Sequence, residues 1–577
     1  MTTRLDARQR RTALEEMSDA EGLDVLIIGG GVTGAGAALD AATRGLRTGI
    51  VEMQDWASGT SSRSSKLVHG GLRYLYNLDF GLVAEALRER GLLLETIAPH
   101  LVKAQPFLWP LKTPVIERSY SAVGVGLYDT LSILTSQGVS VPVQKHYSKK
   151  EALRIFPGIK PDQLVGAIGF FDARVDDARL VIDLVRTAAH HGALAASRTQ
   201  ATSMIKDADG RVTGVEATDL ETGETYRINA RRVINATGVW TEDSEKLAEV
   251  DPSLQVLASK GIHLVFDRDR IQGSTGLFLR TEKSVLFIIP WQRYWIIGTT
   301  DTPWTEERRN PVATSADVDY VLEHANAVLS AELTRDDVIG TYAGLRPLLQ
   351  PVKQRESTKV SREHTVAEVA PGLTAIAGGK LTTYRKMAQD VIDFALGEQA
   401  AELPSVTERT PLLGAVDLTS VTRRMTHLSR PYGWSNGRQQ HLLERYGDEV
   451  TELVELIEQS PELARPLRTA PAYLAVEVVF AVTHEGALHL EDILQHRVRL
   501  DFETPDRGVA SLSEIAELVA PLLGWDADRV RAEIDNYTAV AQATTAAAAQ
   551  TDDAEAAAVR SSVAELVPLQ DAVPVQA

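Results

Sequence analysis

The chain has 577 residues, a formal net charge of −18 and a pI near 5.3. That length holds two or three domains, and the acidity argues against nucleic acid as a partner, because nucleic-acid binding rewards a basic surface. There is no cysteine, which removes disulfides, thiolate metal sites, dithiol redox centres and iron–sulfur clusters, so redox chemistry here must use a bound cofactor.

Residues 1–22 form a charged extension without the apolar run of a secretory signal. No stretch reaches the ~18 apolar residues of a spanning helix, so a soluble or peripheral protein is expected. The organising element follows. Val25 to Ile28 reads as a short buried parallel strand, which runs into Gly29-x-Gly31-x-x-Gly34 and then a helical pattern ending near Gly45. Gly29 makes the tight turn, Gly31 lets the backbone approach a pyrophosphate, and Gly34 lets helix and strand pack closely. The helix N-terminus offers free amides and a positive dipole end to phosphates. A second strand, Arg47 to Val51, ends on Glu52, 18 residues past Gly34, where a carboxylate can accept ribose hydroxyls. A dinucleotide is expected. Glu52 disfavours a 2′-phosphate, and the fingerprint alone does not separate FAD from NAD.

Next comes a hydroxyl-rich loop and a glycine pair, in which Ser61, Ser62, Ser64, Ser65 and Lys66 are expected near the cofactor phosphates. Phe80 to Leu94 has the spacing of a solvated amphipathic helix. Phe107 to Val143 reads as a first crossover into a second domain, with Trp109, Lys112, Arg118 and Tyr120 as either ordinary packing or an interfacial patch. The stretch from Phe170 returns to the first domain through a helix to about Gly192, and Thr202 to Ile228 suits a small hairpin. Arg232-Val-Ile-Asn then closes on Ala236-Thr237-Gly238, a strand end common where small residues sit against FAD, which raises FAD above NAD. Val256 to Thr300 carries the alternation of antiparallel sheet, with a turn near Gln292. Near Gly378-Gly379 another strand meets another helix. Beyond Pro404 the pattern is helical to about residue 540. Residues 541–577 are alanine-rich without periodicity and are expected to be a disordered tail. His190-His191 reads as a solvated helix end, His484 with His489 lacks the carboxylate or cysteine company of a metal site, and no metal is expected.

The strings Ile28-Gly-Gly-Gly-Val-Thr-Gly-Ala-Gly36, Thr60-Ser-Ser-Arg-Ser-Ser-Lys-Leu-Val-His-Gly-Gly-Leu-Arg-Tyr74, Gly344-Leu-Arg-Pro347 and Gly378-Gly-Lys-Leu-Thr-Thr-Tyr-Arg385 resemble the FAD-dependent, quinone-linked glycerol-3-phosphate dehydrogenase family. The resemblance is close from Asp24 to Gly397 and weaker through Glu477 to Leu500. It implies an α/β fold: a Rossmann-like FAD-binding domain (23–110, 165–240 and 368–403), an inserted antiparallel-sheet substrate domain (111–164 and 241–367) in the manner of glutathione reductase and the amino-acid oxidases, and a C-terminal helical cap (404–540).

It also implies oxidation of sn-glycerol 3-phosphate to dihydroxyacetone phosphate, with electrons passing to a membrane quinone. The protein is then peripheral on the cytoplasmic face of the cell membrane, and a homodimer is plausible. Alternatives within reach are an oxidase using O2, an amine or amino-acid oxidase, and a flavin sensor without turnover. Carried onto this chain, the family places Arg73, Tyr74, Arg346, Arg362 and Lys380 in the substrate pocket. His263 is the first candidate proton acceptor and His69 the second, and a purely electrostatic lowering of the hydroxyl pKa is a third route. The cofactor set is Gly29, Gly31, Gly34, Glu52, Ser61, Ser62, Ser64, Ser65, Lys66, His69, Gly70, Gly71, Ala236, Thr237, Gly238, Gly378, Gly379, Lys380, Leu381 and Thr382.

Overall fold

A computed structural model describes residues 4–70, 80–113, 144–250, 254–280, 285–350 and 364–570. Gly71, Arg73, Tyr74, Arg118, Tyr120 and Arg362 lie outside the described residues.

Among the described residues, runs from distant parts of the chain build a six-stranded sheet in the order His364–Ala370, Leu373–Gly378, Val233–Asn235, Val25–Ile28, Thr48–Val51, Leu194–Ala196. All neighbours are parallel except the outer pair, where His364–Ala370 runs antiparallel to Leu373–Gly378. Every residue of Val25–Ile28 and Thr48–Val51 is buried, as expected of parallel strands covered on both faces. One face carries helices Val32–Thr43, Asp177–His190 and Tyr384–Leu396. The other carries the N-terminal helix Ala7–Met17, whose Leu14 and Met17 pack in one cluster with Leu26 and Val51. Arg10 of that helix is buried against Asp219 and the Ser197 carbonyl, so the N-terminal extension is an integral layer of the domain. The segment expected as a hairpin is a three-stranded sheet, Thr199–Lys206, Val212–Asp219 and Thr225–Asn229.

Among the described residues the large antiparallel-rich sheet, the second layer, has ten strands. Its spine is a long antiparallel ribbon in which Gln255–Asp267 pairs with Val338–Gln350, placing His263 opposite Tyr342 and Ser259 opposite Arg346. The hairpin of Val285–Trp291 and Tyr294–Gly298 turns at Gln292, as its alternation predicts. Lys103–Leu111 and Gly166–Arg174 pair along their length inside this sheet, with residues 107–111 in the stretch expected to cross into a second domain. The reason is aromatic packing on one face: Phe107 stacks on Phe170 at 5.7 Å, and Phe170 meets Phe278 edge-on at 6.0 Å. Trp109 is 6% exposed and packs on Phe278, so it belongs to the core and not to an interfacial patch.

The C-terminal third is helical with its own core. Buried ion pairs fasten it to the first domain: Arg179 with Glu485 at 2.6 Å, Arg186 with Glu449 at 2.6 Å, and Arg497 with Asp55 at 2.7 Å. The expectation of disorder from residue 541 is corrected through residue 570. Ala527–Ala547 is one helix of 21 residues, and Asp553–Ser561 is another, capped by Asp552. Alanine has the highest helix propensity, and its small side chain lets these two helices lie close, with Ala547 and Ala556 both fully buried. Such packing needs no wide apolar stripe, hence the missing periodicity.

Candidate active site

The parallel strands end at a cavity of about 540 Å³. Three strand ends meet there: Ile28 into Gly29, Asn235 into Ala236, and Ile376 into Gly378. Gly29 and Gly34 have the steric roles their spacing predicts. Gly29 has φ +112°, and a Cβ on it would lie 2.7 Å from the Ala236 carbonyl; a Cβ on Gly34 would lie 1.9 Å from the Gly29 carbonyl. Gly31 differs, because the nearest atom to its added Cβ is Ser61 Oγ at 3.3 Å and the residue lines the cavity. The space beside Gly31 is therefore left for a ligand. Gly31 is also the N-cap of Val32–Thr43, so the helix start faces that space.

Glu52 lines the cavity and is locked by two backbone amides: Gly30 N donates to its Oε2 at 2.6 Å and Gln54 N to its Oε1 at 2.8 Å. Burial pushes the carboxyl above its ordinary range, while those amide bonds pull it down. Also in the lining are Ser61, Ser64, Thr237, Gly238, Gly379, Lys380 and Leu381.

Lys66, Ser62, Thr382 and Gly70, also expected at the cofactor, have partners within the protein. Lys66 is fully buried, with its ammonium on Asp177 at 2.7 Å and 5.0 Å from the Tyr342 ring centre. Burial and the neighbouring Arg499 depress it to about 8, and it does not line the cavity. The Ser64 hydroxyl donates to the other oxygen of the same Asp177 carboxylate at 2.8 Å. Ser62 is buried and its carbonyl accepts from Lys66 and Arg499. Thr382 exchanges hydrogen bonds at 3.1 Å with the backbone of His69, which joins the glycine pair of the loop to the Gly378–Lys380 turn. Gly70 donates to Asp172 at 3.1 Å.

A second cluster sits on the ribbon. His263 is 2% exposed, its Nε2 is 2.8 Å from Ser65 Oγ, and its ring stacks on Tyr342 at 4.7 Å. Its Nδ1 is buried without a hydrogen-bond partner among the described residues. Desolvation, then the charges of Arg346 and Lys66, hold the imidazole well below its usual pKa, so it is neutral at pH 7. The Arg346 guanidinium donates to Thr299 Oγ1 and Asp301 Oδ1, both at 3.0 Å. One residue on, Pro347 lines the cofactor cavity, so the ribbon carries this cluster to the cavity wall. Sequence reading missed part of that wall: Thr199–Thr202, Trp240, Asp243, Arg309, Leu569 and Gln570. Thr199–Thr202 had a signal, since they open the strand after Leu194–Ala196, which pairs with the strand ending at Glu52. Leu569 and Gln570 had none.

Residues 24–385 match the family described as FAD dependent oxidoreductase, and residues 405–530 match the C-terminal domain of alpha-glycerophosphate oxidase. The chain is 49% identical over 558 residues to a glycerol-3-phosphate dehydrogenase of Mycobacterium leprae, covering 96% of this chain and 94% of that one. It is 36% identical to the human mitochondrial glycerol-3-phosphate dehydrogenase, over 90% of this chain and 73% of that one. The structure of the Bacillus halodurans glycerol-3-phosphate dehydrogenase complexed with FAD superposes with a TM-score of 0.74 at 29% identity, covering 92% and 97% of the two chains. The cofactor is FAD, and the cavity fits it: open space at Gly31, an acid at the end of the second strand, and small residues at two further strand ends. The chain belongs to the glycerol-3-phosphate dehydrogenase family of FAD-dependent oxidoreductases.

Proposed function

We propose that the protein oxidises sn-glycerol 3-phosphate at C2 to dihydroxyacetone phosphate and passes the electrons to a membrane quinone. The observation that carries this reading is the buried neutral imidazole of His263 beside the Arg346 guanidinium, on a ribbon that reaches the cofactor cavity at Pro347. FAD, when bound, supplies the hydride acceptor at N5. Arg346 and Lys380 hold the phosphate; Arg73, Tyr74 and Arg362, which the resemblance assigns to the substrate, lie outside the described residues. His263 takes the hydroxyl proton as the C2 hydride leaves. Its low pKa keeps it unprotonated at neutral pH, and a phosphate dianion on Arg346 offsets the cation that depresses it, so substrate binding makes the base stronger.

Among the described residues no helix is long and apolar enough to cross a membrane. In this reading the protein meets the quinone from the cytoplasmic surface of the membrane. The match of residues 405–530 to a domain named for an oxidase favours O2 as the second candidate acceptor. An anaerobic visible spectrum tests both. The flavin band should bleach with sn-glycerol 3-phosphate and not with glycerol or glycine, and it should return with a quinone analogue faster than with air. A band that stays oxidised rejects the substrate, and recovery fastest in air makes the enzyme an oxidase.

A further inference from the structure

The cofactor cavity is walled at one end by the last of the described residues. Leu569 and Gln570 line it together with Thr199–Thr202 and Glu52. Thr199 N donates to the Glu52 carbonyl at 2.7 Å, so this wall belongs to the strand end whose acid marks the adenosine half of the ligand. Gln570 is held there by a two-bond clasp. Its N–H donates to Gln200 Oε1 at 2.9 Å, and Gln200 Nε2 donates to its carbonyl at 3.0 Å. A primary amide used this way satisfies one backbone donor and one acceptor together, as a ladder step does.

The approach to the clasp is guided. Asp553 pairs with the buried ammonium of Lys260. Further on, Asn536 Nδ2 donates to the Ala564 carbonyl at 2.8 Å, and Asn310 Nδ2 donates to Glu565 Oε1 at 2.8 Å. The segment therefore leaves the helical domain, crosses residues of the second-sheet region and ends on the first domain.

We propose that residues 562–570 are a strap that completes the adenosine half of the FAD site, with Leu569 as apolar cover for the adenine and the Gln200–Gln570 pair as its clasp. The strap slows cofactor loss, and its detachment opens the cavity at the adenosine end.

The test uses the FAD-loaded enzyme. Flavin release after dilution is followed by fluorescence for the wild type, for Gln200→Ala and for a chain ending at Ser562, with far-ultraviolet circular dichroism to check the fold. Losing two hydrogen bonds should speed release roughly tenfold in Gln200→Ala, and losing the cover as well should speed it further in the shortened chain. Release at the wild-type rate in both variants overturns the strap. Faster release from the shortened chain alone overturns the clasp. Should the shortened chain fail to fold, the single side-chain change at Gln200, which is in contact with solvent, decides the matter by itself.

Discussion

At the scale of single residues, the proposed base depends on a neighbour with no chemistry of its own. Gly298 lies opposite His263, and a Cβ there would sit 2.3 Å from His263 Cδ2 and 2.7 Å from the Ile262 carbonyl. His263→Ala should slow flavin reduction in single turnover within the ~100- to 10,000-fold range of a general base. Gly298→Ala should slow the same step by displacing the ring while leaving every ionisable group in place; stopped-flow reduction at saturating substrate measures both. If both variants reduce at full rate, the proton leaves by His69 or by electrostatics alone. Arg346→Ala removes a charge-assisted partner of the phosphate, worth about 1.5–3 kcal/mol. It should therefore lower kcat/KM by roughly 10- to 100-fold. An unchanged kcat/KM takes Arg346 out of the site.

At the scale of elements, the strand–glycine–helix unit is the part of the fold most legible in the sequence, because its constraints are local. A four-residue apolar run, three glycines with separate steric reasons and an acid after the next strand leave few other arrangements. The same locality explains the failures. Ser64 lines the cavity, yet its hydroxyl donates to Asp177 Oδ2 at 2.8 Å, the same acid that holds the buried Lys66, since the loop's path is fixed by long-range partners such as Asp177 and Arg499. The pairing of Lys103–Leu111 with Gly166–Arg174 was not legible, because the two strands lie far apart in the chain. His263 was singled out by family resemblance, not by its strand, where a histidine is ordinarily a core residue. A sharper trial of the glycine unit is Gly31→Val. Gly29 and Gly34 serve the backbone, but Gly31 serves the ligand, so valine there should leave a folded protein without flavin. Circular dichroism together with the visible spectrum reads both properties, and a yellow, fully loaded variant contradicts this division of labour.

At the scale of the whole molecule, the helical domain is fastened by charge as well as by apolar contact. His489, with no carboxylate company evident in the sequence, lies between Glu221 of the first domain and Glu533 of helix Ala527–Ala547, 2.8 Å from each. Burial opposes its charge, yet hydrogen bonds to the two carboxylates overcome that cost and raise it to about 9. Glu221 is correspondingly lowered to about 2, against its own burial, by the same contact. Arg198 and Arg529 also face this cluster. A histidine whose folded pKa is raised adds stability that is complete below its unfolded pKa, near 6.5, and is lost as pH climbs through 9. The span corresponds to roughly 3 kcal/mol. For a chain of this length that is only about 2–3 °C in Tm. The wild-type enzyme should therefore lose Tm between pH 6.5 and 9.5 relative to His489→Gln, whose side chain hydrogen-bonds without titrating. The two Tm profiles, recorded by differential scanning fluorimetry on flavin-loaded protein, should converge at the alkaline end. Parallel profiles across that window would mean that His489 is neutral in the folded protein and that the domain junction rests on the arginine pairs alone.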